Sequence, residues 1–224
     1  MEITLLSVNA GQAEPIGMRR GKPVLSGYRK RPVSTGTVSV GPVGMDGDVV
    51  ADLRVHGGPD KAIYAYSADH FPFWTEAMRP DRPFAPGSFA ENLTLAGIDE
   101  TGVSIGDIWQ WGEAVLQIAQ PRYPCFKMAL ANDRAKIVKR FLAEGRSGIY
   151  LRVLQPGEAP ASGRVAVIKR DPAGITVREA AMAMYQETDP MRQREIASHP
   201  ALAVRWKEML LHSASILEDG TGAA

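Results

Sequence analysis

The chain has 224 residues, 45% of them apolar and 23% charged, with a formal net charge of +1 and a single cysteine. That length fits one large domain or one domain with a small appendage, and the composition is that of a globular protein able to bury a substantial core. A net charge so near zero excludes a global field for a nucleic acid polymer or an anionic membrane. One cysteine excludes an internal disulfide and an ordinary four-cysteine iron–sulfur cluster.

The start Met1-Glu2-Ile3-Thr4 lacks the basic and apolar regions of a signal peptide. No stretch approaches the roughly 18 uninterrupted apolar residues of a membrane span, so a cytoplasmic location is expected. From Met1 to about Lys169, short β-branched and apolar runs alternate with Gly and Pro: Ile3 to Val8, Thr37 to Val40, Asp48 to Val55, Ser88 to Leu95, Ala114 to Gln120, Ile149 to Leu154 and Val165 to Ile168. This rhythm predicts an all-β barrel or sandwich. Two helices are expected to interrupt it. Ser67 would cap one running through His70, Phe73 and Trp74 to Arg79-Pro80, and Asn132 would cap another carrying Ile137, Phe141 and Leu142 to Gly145.

Beyond Asp171-Pro172-Ala173-Gly174 the pattern changes. Thr176-Val177-Arg178-Glu179 is a capping box, followed by Ala180, Ala181 and Met184 at helical spacing. A short helix is expected from Met191 to Ala197, and His199-Pro200 is expected to open a third with Leu202, Trp206, Met209 and Leu210 on its apolar side. The chain thus divides into a β-barrel domain over 1–170, a three-helix domain over 171–217 and a disordered tail over 218–224.

Four polar clusters stand out. In the first, His56-Gly57-Gly58-Pro59-Asp60-Lys61, the glycines permit positive φ or close backbone approach to a ligand, toward which Lys61 would point. The plain alternative is a hairpin turn with a solvated lysine. In the second, Glu91-Asn92-Leu93-Thr94, Asn92 and Thr94 would share one strand face, with Glu91 buried toward a charged partner. The alternative is a solvent-facing polar stripe.

The third cluster is Arg122-Tyr123-Pro124-Cys125-Phe126-Lys127, directly after a strand. Each proline fixes φ near about −65°, and a thiolate held between cations is a better nucleophile and soft-metal ligand. The alternative is a small buried hydrophobe. In the fourth, Arg146-Ser147-Gly148 precedes a strand carrying Arg152 and can form an anion nest. His56, His70, Asp60 and Cys125 could compose a zinc site, although none sits at a tight ligand spacing. A Cys–His nucleophilic pair would need His56 or His70 beside Cys125. No dinucleotide fingerprint or Walker loop occurs.

In this order, His56-Gly57-Gly58-Pro59-Asp60-Lys61-Ala62, Glu91-Asn92-Leu93-Thr94, Arg122 to Lys127, and Arg146 to Leu154 with Gly157 and Gly163 resemble the MOSC domain family in its YiiM-like branch. The helical tail with Trp206 resembles the three-helix domain of that branch. One departure is Ala90, where the family commonly has Gly, which points to a tighter pocket. The resemblance implies a β-barrel that binds the molybdenum cofactor (molybdopterin), with Cys125 as the protein thiolate on molybdenum. Lys61, Arg122, Arg146 and the Gly57-Gly58 turn are then candidates for its phosphate, and Asn92 and Thr94 for the pterin edges. At the level of the domain label the resemblance also carries pyridoxal phosphate binding.

Members similar to this chain reduce N-hydroxylated compounds, such as N-hydroxylaminopurine base analogues, to amines. His56 and His70 are candidate proton donors for that reaction. Electrons would come from a separate reductase, docked for instance on the helical tail. The competing expectation is a cofactor or sulfur carrier without reductase activity, in which Cys125 forms a persulfide. A thiol hydrolase is a third.

Overall fold

The computed structural model describes residues 2–34, 36–51 and 57–220. In chain order the strands are β1 (Glu2–Ala10), β2 (Glu14–Arg19), β3 (Lys22–Ser26), β4 (Arg31–Pro32), β5 (Thr37–Gly41), β6 (Gly44–Met45), β7 (Ile63–Ser67), β8 (Leu93–Ala96), β9 (Ile108–Trp111), β10 (Ala114–Pro121), β11 (Ile149–Gln155), β12 (Gly157–Pro160) and β13 (Gly163–Lys169). The helices are α1 (Phe71–Met78), α2 (Phe126–Asn132), α3 (Ile137–Glu144), α4 (Val177–Tyr185), α5 (Pro190–Ala197) and α6 (Val204–Glu218).

Seven strands close a barrel in the order β1, β13, β9, β10, β11, β7, β8 and back to β1. All neighbours are antiparallel except β7 and β8, which run parallel with Ala65 opposite Leu93. A parallel neighbour requires a crossover, and α1 lies in it. Closure removes the exposed edges an open sheet would present. Outside the barrel, β2 and β3 form a hairpin, and β12, β5 and β6 form a small sheet.

The barrel interior is filled by Ile3, Leu5, Ile63, Leu93, Trp109 and Leu116, all at most 2% exposed. The helical tail joins this core: Val177, Ala180, Ile196, Trp206 and Leu210 belong to the same packed cluster as the strands. The Ala203 amide donates to the Ala119 carbonyl at 2.9 Å, tying the entry of α6 to β10. A second, aromatic cluster of Tyr28, Tyr64, Tyr66, Trp74, Phe89 and Phe141 lies under α1, α2 and α3.

The helix signals resolve as follows. Ser67 caps a single 3-10 turn, its Oγ accepting from the Asp69 amide at 3.3 Å, and α1 follows it. Thr176 and Glu179 close the capping box in both directions at 2.8 and 3.0 Å. Asn132 does not cap the second helix. It ends α2, which the sequence reading missed, and its amide donates to the Met128 carbonyl at 3.0 Å. His199-Pro200 does not open α6, which begins at Val204. His199 instead pairs with Asp171 at 3.0 Å, and its Nδ1 accepts from the Ala201 amide.

Two expected strands depart from the apolar runs in the described residues. Asp48 to Ala51 is irregular, and 52–56, with His56, lie outside the described residues. The run from Ser88 is strand only from Leu93. Ala90 stands at φ 62, in the left-handed region, and breaks the alternation. No described helix is long and apolar enough to cross a membrane.

Candidate functional site

β10 is buried at every residue from Ile118 to Pro121, and its last residue pairs with Ile149 of β11. The chain leaves the barrel there as Arg122-Tyr123-Pro124-Cys125 and turns directly into α2. The Tyr185 hydroxyl of α4 donates to the Arg122 carbonyl, so the helical unit fixes this loop from outside. Cys125, in extended backbone at φ −128, is half-buried. It lines a cavity of about 100 Å³ together with Lys30, Asp48, Lys61, Asn92, Arg122 and Lys127.

Asp48 organises one wall. Its Oδ1 accepts from the Gly11 amide at 2.8 Å and from the Lys30 ammonium, and its Oδ2 accepts from the Asn92 side-chain amide at 2.8 Å. Asn92 in turn accepts from the Tyr64 amide through Oδ1 at 3.0 Å. Gly27 allows this wall to form. A Cβ there would meet the Val49 carbonyl oxygen at 2.0 Å, so only glycine lets the 48–51 segment approach.

Arg122 forms the floor. It is 6% exposed, its guanidinium lies 4.8 Å from the Tyr64 ring centroid and 5.3 Å from that of Tyr28, and it donates to the Phe89 carbonyl. Its charge and the sulfur of Cys125 lie within electrostatic range of each other. Burial drives the Tyr28 phenol up to about 12, against the opposing pull of Arg122, and pushes the Tyr64 and Tyr150 phenols up as well. Burial also lowers Lys30, with Asp48 opposing, and lowers Lys61, to which the nearby Arg205 charge adds.

Among the described residues the cavity lining holds four cations, Lys30, Lys61, Arg122 and Lys127, against one carboxylate, Asp48, which Lys30 neutralises. Lys127 is 8% exposed, and neither its ammonium nor that of Lys61 has a hydrogen-bond or ion-pair partner among the described residues. A buried cation without a partner is costly, and an anionic ligand offsets that cost. The donor set is therefore a thiol flanked by positive charge, with an amide at one side.

Of the residues singled out in the sequence, Cys125, Gly57, Lys61, Asn92 and Arg122 line this cavity. Gly58 lines an adjoining cleft with Gln120, Val204 and Arg205. Thr94 is buried, accepting from the Asn9 amide at 3.0 Å and donating to Glu91 at 2.9 Å, and unlike Asn92 it is not among the residues lining the cavity. Glu91 has no ion-pair partner among the described residues. Its carboxylate accepts from the amides of Gly87 and Phe89 at 2.7 and 3.0 Å, and burial raises it nonetheless.

His70 and Arg146 lie apart from the cavity, bordering a different cleft. Arg146 Nη1 donates to His70 Nδ1 at 2.7 Å, which leaves the ring proton on Nε2, donated to Glu100 at 2.7 Å. The second Glu100 oxygen accepts from the Gly148 amide at 2.6 Å. This chain of bonds secures the start of β11, and Arg146 rests on Phe73 at 4.4 Å rather than in a phosphate nest. Among the described residues no group of three His, Cys, Asp or Glu side chains is placed to hold a metal ion, which removes the zinc reading for those residues. Lys30, Tyr28 and Tyr150 escaped the sequence reading. Only Gly27-Tyr28 after a strand hints at the first two, since a buried lysine has no periodic signature.

The MOSC domain family model matches residues 52–169, more than half of the chain. The chain belongs to the MOSC domain family. It is 37% identical over 205 residues to YflK of Bacillus subtilis (strain 168), covering 91% of each chain. It is 32% identical over 169 residues to a protein of Gibberella moniliformis named "Reductase", covering 74% of this chain and 29% of that one. Among solved structures, YiiM from Geobacillus stearothermophilus superimposes with a TM-score of 0.79 at 33% identity, covering 95% of this chain and 99% of that one. These matches place the chain in the YiiM-like branch of the MOSC family.

Proposed function

We propose that this MOSC protein binds a molybdenum cofactor in the Cys125 cavity and reduces N-hydroxylated compounds to amines. The observation that carries the reading is the meeting at a single cavity of one half-buried thiol with two ammonium groups, Lys61 and Lys127, that have no partner among the described residues. The name of the Gibberella moniliformis relative supports a reductive activity.

The donor set suits such a group. A thiolate matches a high-valent molybdenum centre, and cations with exposed backbone amides match the pterin phosphate. When bound, the cofactor supplies the two-electron chemistry that cleaves an N–O bond. Cys125, held between Pro124 and α2, would occupy one coordination position. Lys61, Lys127 and the Gly57 backbone would neutralise and hold the phosphate, and Asn92, fixed by Asp48, would hold a pterin edge. His70 borders a different cleft, so of the two histidines His56 is the proton-donor candidate in this reading.

The test is the molybdenum content of protein made in a cofactor-competent host, alongside Cys125→Ser, with dye-driven reduction of an N-hydroxylaminopurine. Molybdenum and turnover should both be lost in the variant. Equal molybdenum in the two samples would remove Cys125 from the ligand role. A persulfide on Cys125 in metal-free protein would favour sulfur carriage instead.

A further inference from the structure

The chain offers no flavin fingerprint and no cluster cysteines, so the proposed reductase needs an external electron donor, and the following rests on that reading. The β2–β3 hairpin packs on α2 immediately beside Cys125: the Arg19 guanidinium lies 3.9 Å from the ring centroid of Phe126, the residue after the cysteine. The hairpin turn carries Arg19, Arg20 and Lys22, all exposed, and none has an ion-pair partner among the described residues. Arg20 holds this place at φ 51, in the left-handed region where glycine or asparagine is favoured.

Exposed apolar groups lie on the same hairpin and on the cysteine loop. Met18 and Leu25 are exposed on the hairpin, and Phe126 and Tyr123 flank the cysteine on either side of Pro124. On the other side of the cavity Lys61 borders the cleft of Val204 and Arg205, both exposed. Exposed Met, aromatic and Arg side chains around a functional cavity have the composition of a protein interface rather than of ordinary surface.

We infer that this face, from the Arg19-Arg20-Lys22 turn across Phe126, is the docking site of an acidic electron-donor protein. Charge selects the partner's sign: three exposed cations steer an acidic surface and orient it over the thiol. A protein fits better than a single nucleic acid strand, because one face of the Phe126 ring is already covered by Arg19 and cannot stack on a base. This places docking at the cavity mouth rather than on the helical tail alone.

The test uses the holoprotein and a purified acidic flavodoxin as the probe. Binding is followed by titration calorimetry at about 50 and about 300 mM salt, since exposed charges are screened over this range. The variant Arg19→Glu/Arg20→Glu/Lys22→Glu should weaken binding roughly tenfold or more at low salt and lose most of the salt dependence. Reversal on β13, Arg164→Glu/Lys169→Glu, should leave binding near wild type, and dye-driven turnover should be unchanged in both. Absence of flavodoxin binding by the wild type, equal loss in the two variants, or a face that binds a single-stranded oligonucleotide in preference to flavodoxin would overturn the docking site. If dye-driven reduction is absent while binding still falls only in the hairpin variant, the docking site stands and the reductase reading fails.

Discussion

Asp48 and Asn92, 44 residues apart in sequence, are joined by a 2.8 Å hydrogen bond that holds the amide at the cavity wall. The same carboxylate neutralises buried Lys30 and accepts the Gly11 amide, so one side chain ties three separate segments together. Asp48→Ala leaves Lys30 buried without a counter-charge and should cost about 3–5 kcal/mol, with Asp48→Asn losing less. Denaturant unfolding checks this, and a loss below about 1 kcal/mol for the alanine variant would show that Lys30 finds another partner.

Tyr28 gives a pH dependence of known sign. Its phenol ionises near 10.0 unfolded and about 12 folded, so the native state holds the proton more tightly. Its contribution is therefore full below pH 10 and is lost as pH rises from there through about 12, amounting to roughly 2–3 kcal/mol. Alkaline unfolding of Tyr28→Phe, compared with wild type, should be displaced to higher pH. Superimposable curves would show that the phenol is free to ionise in the folded protein.

Ala90 sits at φ 62 between Glu91 and Phe89, whose amide donates to the Glu91 carboxylate. An alanine in this region is strained, so Ala90→Gly should stabilise the protein by about 0.5–1 kcal/mol despite the added freedom of the unfolded chain. A rise of a few degrees in Tm is the readout. A fall would mean that the methyl contributes more by packing than it costs in strain.

Glu100 satisfies both His70 and the Gly148 amide, away from Cys125. Glu100→Ala should cost about 2–3 kcal/mol through two orphaned buried donors. Molybdenum loading at a temperature where the variant is folded should match wild type. Loss of metal without loss of stability would return His70 and Arg146 to the functional site.

Phe89 and Arg122 supply a fifth case. The buried guanidinium donates to the Phe89 carbonyl and lies over two tyrosine rings, a fit that depends on a planar, delocalised cation. Arg122→Lys should therefore destabilise by about 1–3 kcal/mol although charge is retained. Thermal unfolding would detect it, and a neutral outcome would mean that charge alone matters at the floor of the cavity.

Local patterns in the chain determined the strand rhythm of the barrel, the Thr176 capping box and the thiol loop after β10, because each depends on neighbours within a few residues. The ordered motifs determined the family for the same reason. Tertiary structure alone decided which polar residues meet. Asn92 and Thr94 are two apart, yet the left-handed turn at Ala90 and the late start of β8 leave one lining the cavity and the other buried outside its lining. His70 and Arg146 were chemically plausible for the site, but barrel closure brings them to Glu100 instead. Lys30 joins the site through a wall that exists only because Gly27 lets residue 49 approach. Side-chain chemistry is written in sequence, whereas the pairing of distant groups follows from sheet register and packing, which no short window contains.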